Sequence, residues 1–91
     1  MSRDADQAFT VLEIRDDRVV PLSQLAVGGE GRIVSIAPRR PERLVQLANL
    51  GVIPGAHIHL QQIRPAAVVR VGETTLALDP QIADEIYVKP A

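Results

Sequence analysis

The sequence predicts a mostly β fold, a small barrel of about five strands with one inserted α-helix. Three observations lead there. Short runs of alternating apolar and polar residues recur after residue 56, separated by Gly and Pro. Only one stretch, residues 38–51, carries the spacing of a helix. The elements crowd into about 70 residues, too few for two full sheets, so a strongly bent sheet closing on itself is the economical solution.

The bulk numbers set the limits. The chain has 91 residues, which supports one domain. It is 46% hydrophobic but only 2% aromatic, so its core must be built from Val, Ile, Leu and Ala. With no Cys, thiolate metal sites, cysteine nucleophiles and a disulfide framework are excluded. The opening "MSRDADQAF" has no apolar run of the signal-peptide kind, and no stretch approaches the ~20 apolar residues of a membrane span. The expectation is a cytoplasmic protein with no direct membrane insertion. Net charge is −1, and one Phe and one Tyr cannot build a base-stacking platform, so nucleic acid is not an expected partner.

Residues 1–20 read as an N-terminal extension, either an extra β-hairpin or a flexible tail. They hold five acids and three arginines, whereas residues 21–91 carry a net charge of +1. Val19 and Val20 could return as a strand after a turn at Asp16 and Asp17. Leu22 and Leu25, three apart, suit a single helical turn. Gly28, Gly29 and Gly31 mark a bend before a strand over residues 32–37, where Ile33, Val34 and Ile36 are apolar.

In "APRRPERLVQLANLG", Pro41 fits the first helical position and Glu42 complements the helix N-terminus. Leu44, Leu47 and Ala48 form one apolar stripe. Gly51 falls where a helix stops in a left-handed residue, which pairs Leu47 with Val52. Pro54 and Gly55 then occupy the centre of a type II turn. Ile58 and Leu60 share one face of the next strand, with His57, His59 and Gln61 on the other. Gly72 and Glu73 form a two-residue hairpin turn that sets Val71 against Thr74, Val69 against Leu76 and Ala67 against Leu78. Leu47, Ile58, Val69 and Leu76 are expected in the core. Asp79 caps a short helix begun by Pro80, and "EIYVKP" is a last strand with Ile86 and Val88 inward.

The order "PLSQLAVGGEGRIVSI … RLVQLANLGVIPGAHIHL … VVRVGETTLALDPQIADEIYV" resembles the ferrous iron transport protein A family (FeoA) over residues 21–88. The most specific pieces are the Leu50-Gly51-Val52-x-Pro54-Gly55 turn, the Ala77-Leu78 strand followed by Ile82-Ala83, and Leu22 and Leu25 ahead of Gly28 and Gly31. The resemblance implies an SH3-like β-barrel over residues 21–91. It also implies a cytoplasmic accessory that binds the cytosolic part of a membrane GTPase-type ferrous iron transporter. A similar domain ends certain metal-dependent repressors, so a stand-alone metal- or peptide-sensing domain is the alternative. Self-association is left open. Residues 1–20 depart from the family, whose members usually begin near Pro21.

The chemistry-bearing residues are few. His57 and His59 are at most weak ligands for Fe2+ or another divalent ion, because a stable site needs three or four donors. Their simplest reading is two solvent-facing side chains, and no cofactor is expected. Arg39, Arg40 and Arg43 read either as solvated charge at a helix start or as a patch that steers an acidic partner. Ser23, Ser35, Asp79, Asp84 and the histidines fall in separate elements with no nucleophile–base pattern, and "GGEG" lacks the Lys and Ser/Thr of a phosphate-binding loop. No enzyme is expected.

Overall fold

The computed structural model describes residues 18–91. The expectations for residues 1–17 lie outside the described residues. Six strands alternate with three helical pieces: β1 (Val20–Pro21), a 3₁₀ turn (Leu22–Gln24), β2 (Glu30–Ile36), α1 (Pro41–Asn49), β3 (His57–Gln62), β4 (Ala67–Val71), β5 (Thr74–Leu78), α2 (Pro80–Glu85) and β6 (Ile86–Pro90). All strand pairs are antiparallel, in the order β1-β6-β2-β3-β4-β5.

This is one open sheet rather than the expected closed barrel. β1 has two residues, and one of them is Pro21, which has no N–H to donate. So short an edge pairs with β6 and does not join β5. β1 is also the sixth strand. Val20 lies opposite Val88 and Pro21 opposite Tyr87.

The core is aliphatic. Leu22, Ile33, Val52, Ile58, Leu60, Val69, Ile86 and Val88 are its largest fully buried side chains. The hairpin register is the expected one, with Val71 opposite Thr74, Val69 opposite Leu76 and Ala67 opposite Leu78. Leu76, expected in the core, is only half-buried, because β5 is an edge strand and buries Leu78 alone. β2 alternates through Val34, which faces out, and the register shift between Ile33 and Ser35 leaves Ser35 exposed as well.

α1 ends as its sequence dictates. Gly51 takes φ +88°, and its N–H bonds the Ala48 carbonyl at 3.0 Å. The Val52 N–H bonds the Leu47 carbonyl at 2.9 Å. This is the paired 6→1 and 5→2 arrangement that satisfies the last carbonyls, and both Leu47 and Val52 are buried. The turn that follows closes through Ala56 N–H on Ile53 O at 3.1 Å, with Gly55 at φ +93°. Two further bonds, Gly55 N–H to Ile33 O and Ile33 N–H to Ala56 O, tie this turn to β2.

The stripe on α1 is not buried as a stripe. Leu47 alone enters the core, while Leu44 and Ala48 face solvent. α2 starts as expected, with Asp79 accepting from the Gln81 N–H at 2.9 Å. Ser23 Oγ donates to Asp84 Oδ1, which fastens the 3₁₀ turn to α2.

Two outcomes test this packing. Gly51→Val places a β-branched residue at positive φ and should cost more than about 1 kcal/mol in a denaturant melt. Leu47→Ala should cost about 2–5 kcal/mol, because it removes the buried α1 side chain from the core.

Candidate functional site

The three arginines expected to act together have different fates. Arg40 is the residue before α1, exposed, and its side chain makes no capping bond. Arg39 is exposed as well. Arg43 is not available for docking. Its Nη1 donates to Glu85 Oε1 at 2.8 Å, and the two side chains are 20% and 6% exposed. Glu85 ends α2 and is the only buried charged residue among those described. A carboxylate taken out of water needs a cation or donors close by, and Arg43 supplies one from 42 residues away. The ion pair therefore locks α1 to α2.

With Arg43 turned inward, α1 leaves two large apolar side chains exposed beside the polar Glu42, Gln46 and Asn49. Leu44 is 44% exposed and Val45 is 62% exposed. Beyond the helix stop, Leu50 and Ile53 are also exposed. These four lie within ten residues of chain, on α1 and the turn after it. The arginines Arg39 and Arg40 stand at the N-terminal end of α1.

His57 and His59 project from the sheet's outer face, opposite Ile58 and Leu60. His57 Nε2 lies 2.9 Å from Glu30 Oε1, with both side chains about half exposed. His59 sits beside Glu30 on one side and Arg70 on the other. A shallow depression lined by Glu30, His57, His59 and Arg70 runs between them. Among the described residues, no three His, Cys, Asp or Glu side chains gather as metal ligands. The Arg70 guanidinium is adverse to a cation there.

Sequence reasoning missed Glu85. Nothing in "IADEIYV" distinguishes its carboxylate from that of Asp84, which is exposed. The signal lies in chain order only: the residue before the inward Ile86 closes a short helix against the core.

The class of protein is thus a small antiparallel β domain with one surface helix, held by Leu47 and by the Arg43–Glu85 pair. Among the described residues, no helix is long and apolar enough to cross a membrane. Residues 20–90 match the FeoA domain, and the chain belongs to the FeoA family, a family of small accessory domains linked to ferrous iron transport and not known as enzymes. A crystal structure of an iron uptake regulatory protein (FeoA) is 28% identical, covers 81% of this chain and 100% of its own, and superposes with a TM-score of 0.73. A Stenotrophomonas maltophilia FeoA in complex with zinc is 23% identical over 75% of this chain and 87% of its own, with a TM-score of 0.65. That protein is described as a prokaryotic SH3 domain protein proposed to act as a bacterial ferrous iron transport activating factor. The present sheet is consistent with that SH3-like fold. T. acidophilum IdeR shares the fold as well, at 24% identity and a TM-score of 0.75, but the match covers 86% of this chain and only 37% of IdeR. No curated protein matches the sequence.

The Arg43–Glu85 lock has a measurable signature. Arg43→Ala should destabilise the fold by about 3 kcal/mol or more, because it leaves a buried carboxylate without its cation. Arg40→Ala should stay within about 0.5 kcal/mol. The double change Arg43→Met with Glu85→Leu should recover much of the loss in the same denaturant melts.

Proposed function

We propose that this chain is a non-enzymatic accessory of ferrous iron uptake that docks on the cytosolic part of a membrane GTPase-type ferrous iron transporter. The observation that carries the reading is the exposed apolar surface of α1 and its following turn, in a chain that belongs to the FeoA family. Interfaces of this kind are apolar at the centre and polar at the rim. Leu44, Val45, Leu50 and Ile53 supply the centre, and Arg39 and Arg40 the rim. Rim charges act mainly on the encounter rate and on salt dependence.

Ferrous iron is cargo of the transporter in this reading and is not held by His57 and His59. Two histidines and one exposed carboxylate provide too few donors, with no partner to orient the imidazoles beyond Glu30. The metal-sensing alternative would require a further ligand from outside these residues.

Ferrous uptake by cells lacking their own copy tests the reading. Leu44→Asp with Val45→Asp should abolish support of uptake while the melting transition is retained. Arg39→Glu with Arg40→Glu should weaken binding to the transporter's cytosolic domain more at low salt than at high salt. His57→Ala with His59→Ala should leave uptake close to wild type. Loss of uptake in the histidine variant, together with normal uptake in the Leu44/Val45 variant, would overturn the docking reading in favour of metal binding.

A further inference from the structure

The two edges of the sheet differ. β1 is two residues long and holds Pro21, so it offers little backbone to a further strand. β5 is five residues long and carries neither Pro nor charge, and no register shift interrupts its pairing with β4. Gly72 opens the hairpin at φ +60°, which makes Val71 and Thr74 the hydrogen-bonded pair beside the turn. The pairs then alternate. Thr74, Leu76 and Leu78 bond β4, while Thr75 and Ala77 aim their N–H and C=O groups at the open edge. Among the described residues, no backbone bond engages Thr75 or Ala77 on that side. Their side chains are exposed on the outer face. Leu76 packs on the core and stays half-buried, because among the described residues no strand flanks it on the open side.

We infer that this edge pairs with the same edge of a second copy of the chain, antiparallel about a twofold axis at Leu76. In that register the strand is complementary to itself. Thr75 lies opposite Ala77 of the second copy, and Ala77 lies opposite its Thr75, so each pair exchanges two backbone hydrogen bonds. Leu76 meets Leu76 of the second copy as a non-hydrogen-bonded pair, the closer kind, which covers its open side. A twofold contact uses one patch on both copies and stops at a dimer. The propagating alternative, β5 on β1 of the next copy, lacks a strand long enough to receive it. Glu73 and Asp79 bracket β5, and in this register each faces the other acid across the seam. Arg70, opposite Thr75 on β4, offsets one of the two acids in each copy. The seam ends therefore repel, and one pair of five-residue strands is a small contact against the ~1,000 Å² of a stable interface. The dimer is accordingly weak and concentration-dependent. None of these residues belongs to α1 or the turn after it, so the inference does not rest on the accessory reading.

Sedimentation equilibrium of the full chain, from about 20 µM to about 1 mM, tests this. The wild-type mass should rise from monomer towards dimer, and more so at high salt, which screens the acids at the seam ends. Thr75→Lys with Ala77→Lys changes two exposed side chains and sets like charges directly opposite each other, so it should weaken the dimer about tenfold. Thr75→Glu with Ala77→Glu should do the same. An equimolar mixture of the two variants should restore a dimer at least as tight as the wild type, because each Lys then faces a Glu. Thermal melts check that each variant keeps its fold. Ala77→Pro replaces any that does not: it removes an edge N–H that the β4–β5 pairing does not use, and it should weaken the dimer as well. A wild-type chain that stays monomeric at about 1 mM overturns the inference. So does a dimer that both charged variants retain, and so does a mixture that fails to pair. Loss of the dimer in Leu44→Asp with Val45→Asp, with the β5 variants unaffected, would place self-association on α1 and overturn it too.

Discussion

The attachment of α1 is the constraint on which the rest depends. A nine-residue helix is too short to hold itself in water, so its form comes from what it packs against. Here the anchor is one buried side chain and one ion pair. Leu47 enters the core beside Val52, which the left-handed Gly51 turns inward, and Arg43 reaches Glu85 at the other end. Because these two contacts suffice, Leu44, Val45 and Ala48 are released from core duty. The same economy that fixes the helix leaves Leu44 and Val45 exposed to solvent.

Local chemistry was readable wherever a backbone rule left one outcome. Gly51 after a leucine-faced run, Pro54-Gly55 in the turn, Gly72 in a two-residue hairpin and Asp79-Pro80 at a helix start each fix φ or a capping bond within a few residues. The strand register from Ala67 to Leu78 followed from the hairpin turn alone.

What depends on distant partners was not readable. Period 3.6 identifies an apolar stripe of Leu44, Leu47 and Ala48 but not which of the three is covered. Alternation on β5 placed Leu76 inward, yet an edge strand has a neighbour on one side only. Barrel closure turned on the length of β1, which two residues decide. Arg43 looked like its exposed neighbours Arg39 and Arg40 until Glu85 was brought to it from across the chain. The FeoA resemblance supplied the family and the expected partner, and neither the Arg43–Glu85 ion pair nor the exposure of Leu44 and Val45 followed from it.

The account stands on α1 as the face that meets the transporter. Amide hydrogen exchange of the full chain, with and without the transporter's cytosolic domain, tests this most directly. Exchange reports which backbone segments the partner covers or steadies. The account predicts slowed exchange over residues 41–53, with the β3 and β4 amides near His57, His59 and Arg70 unchanged. Slowed exchange confined to the β3–β4 face, with residues 41–53 unaffected, would contradict it.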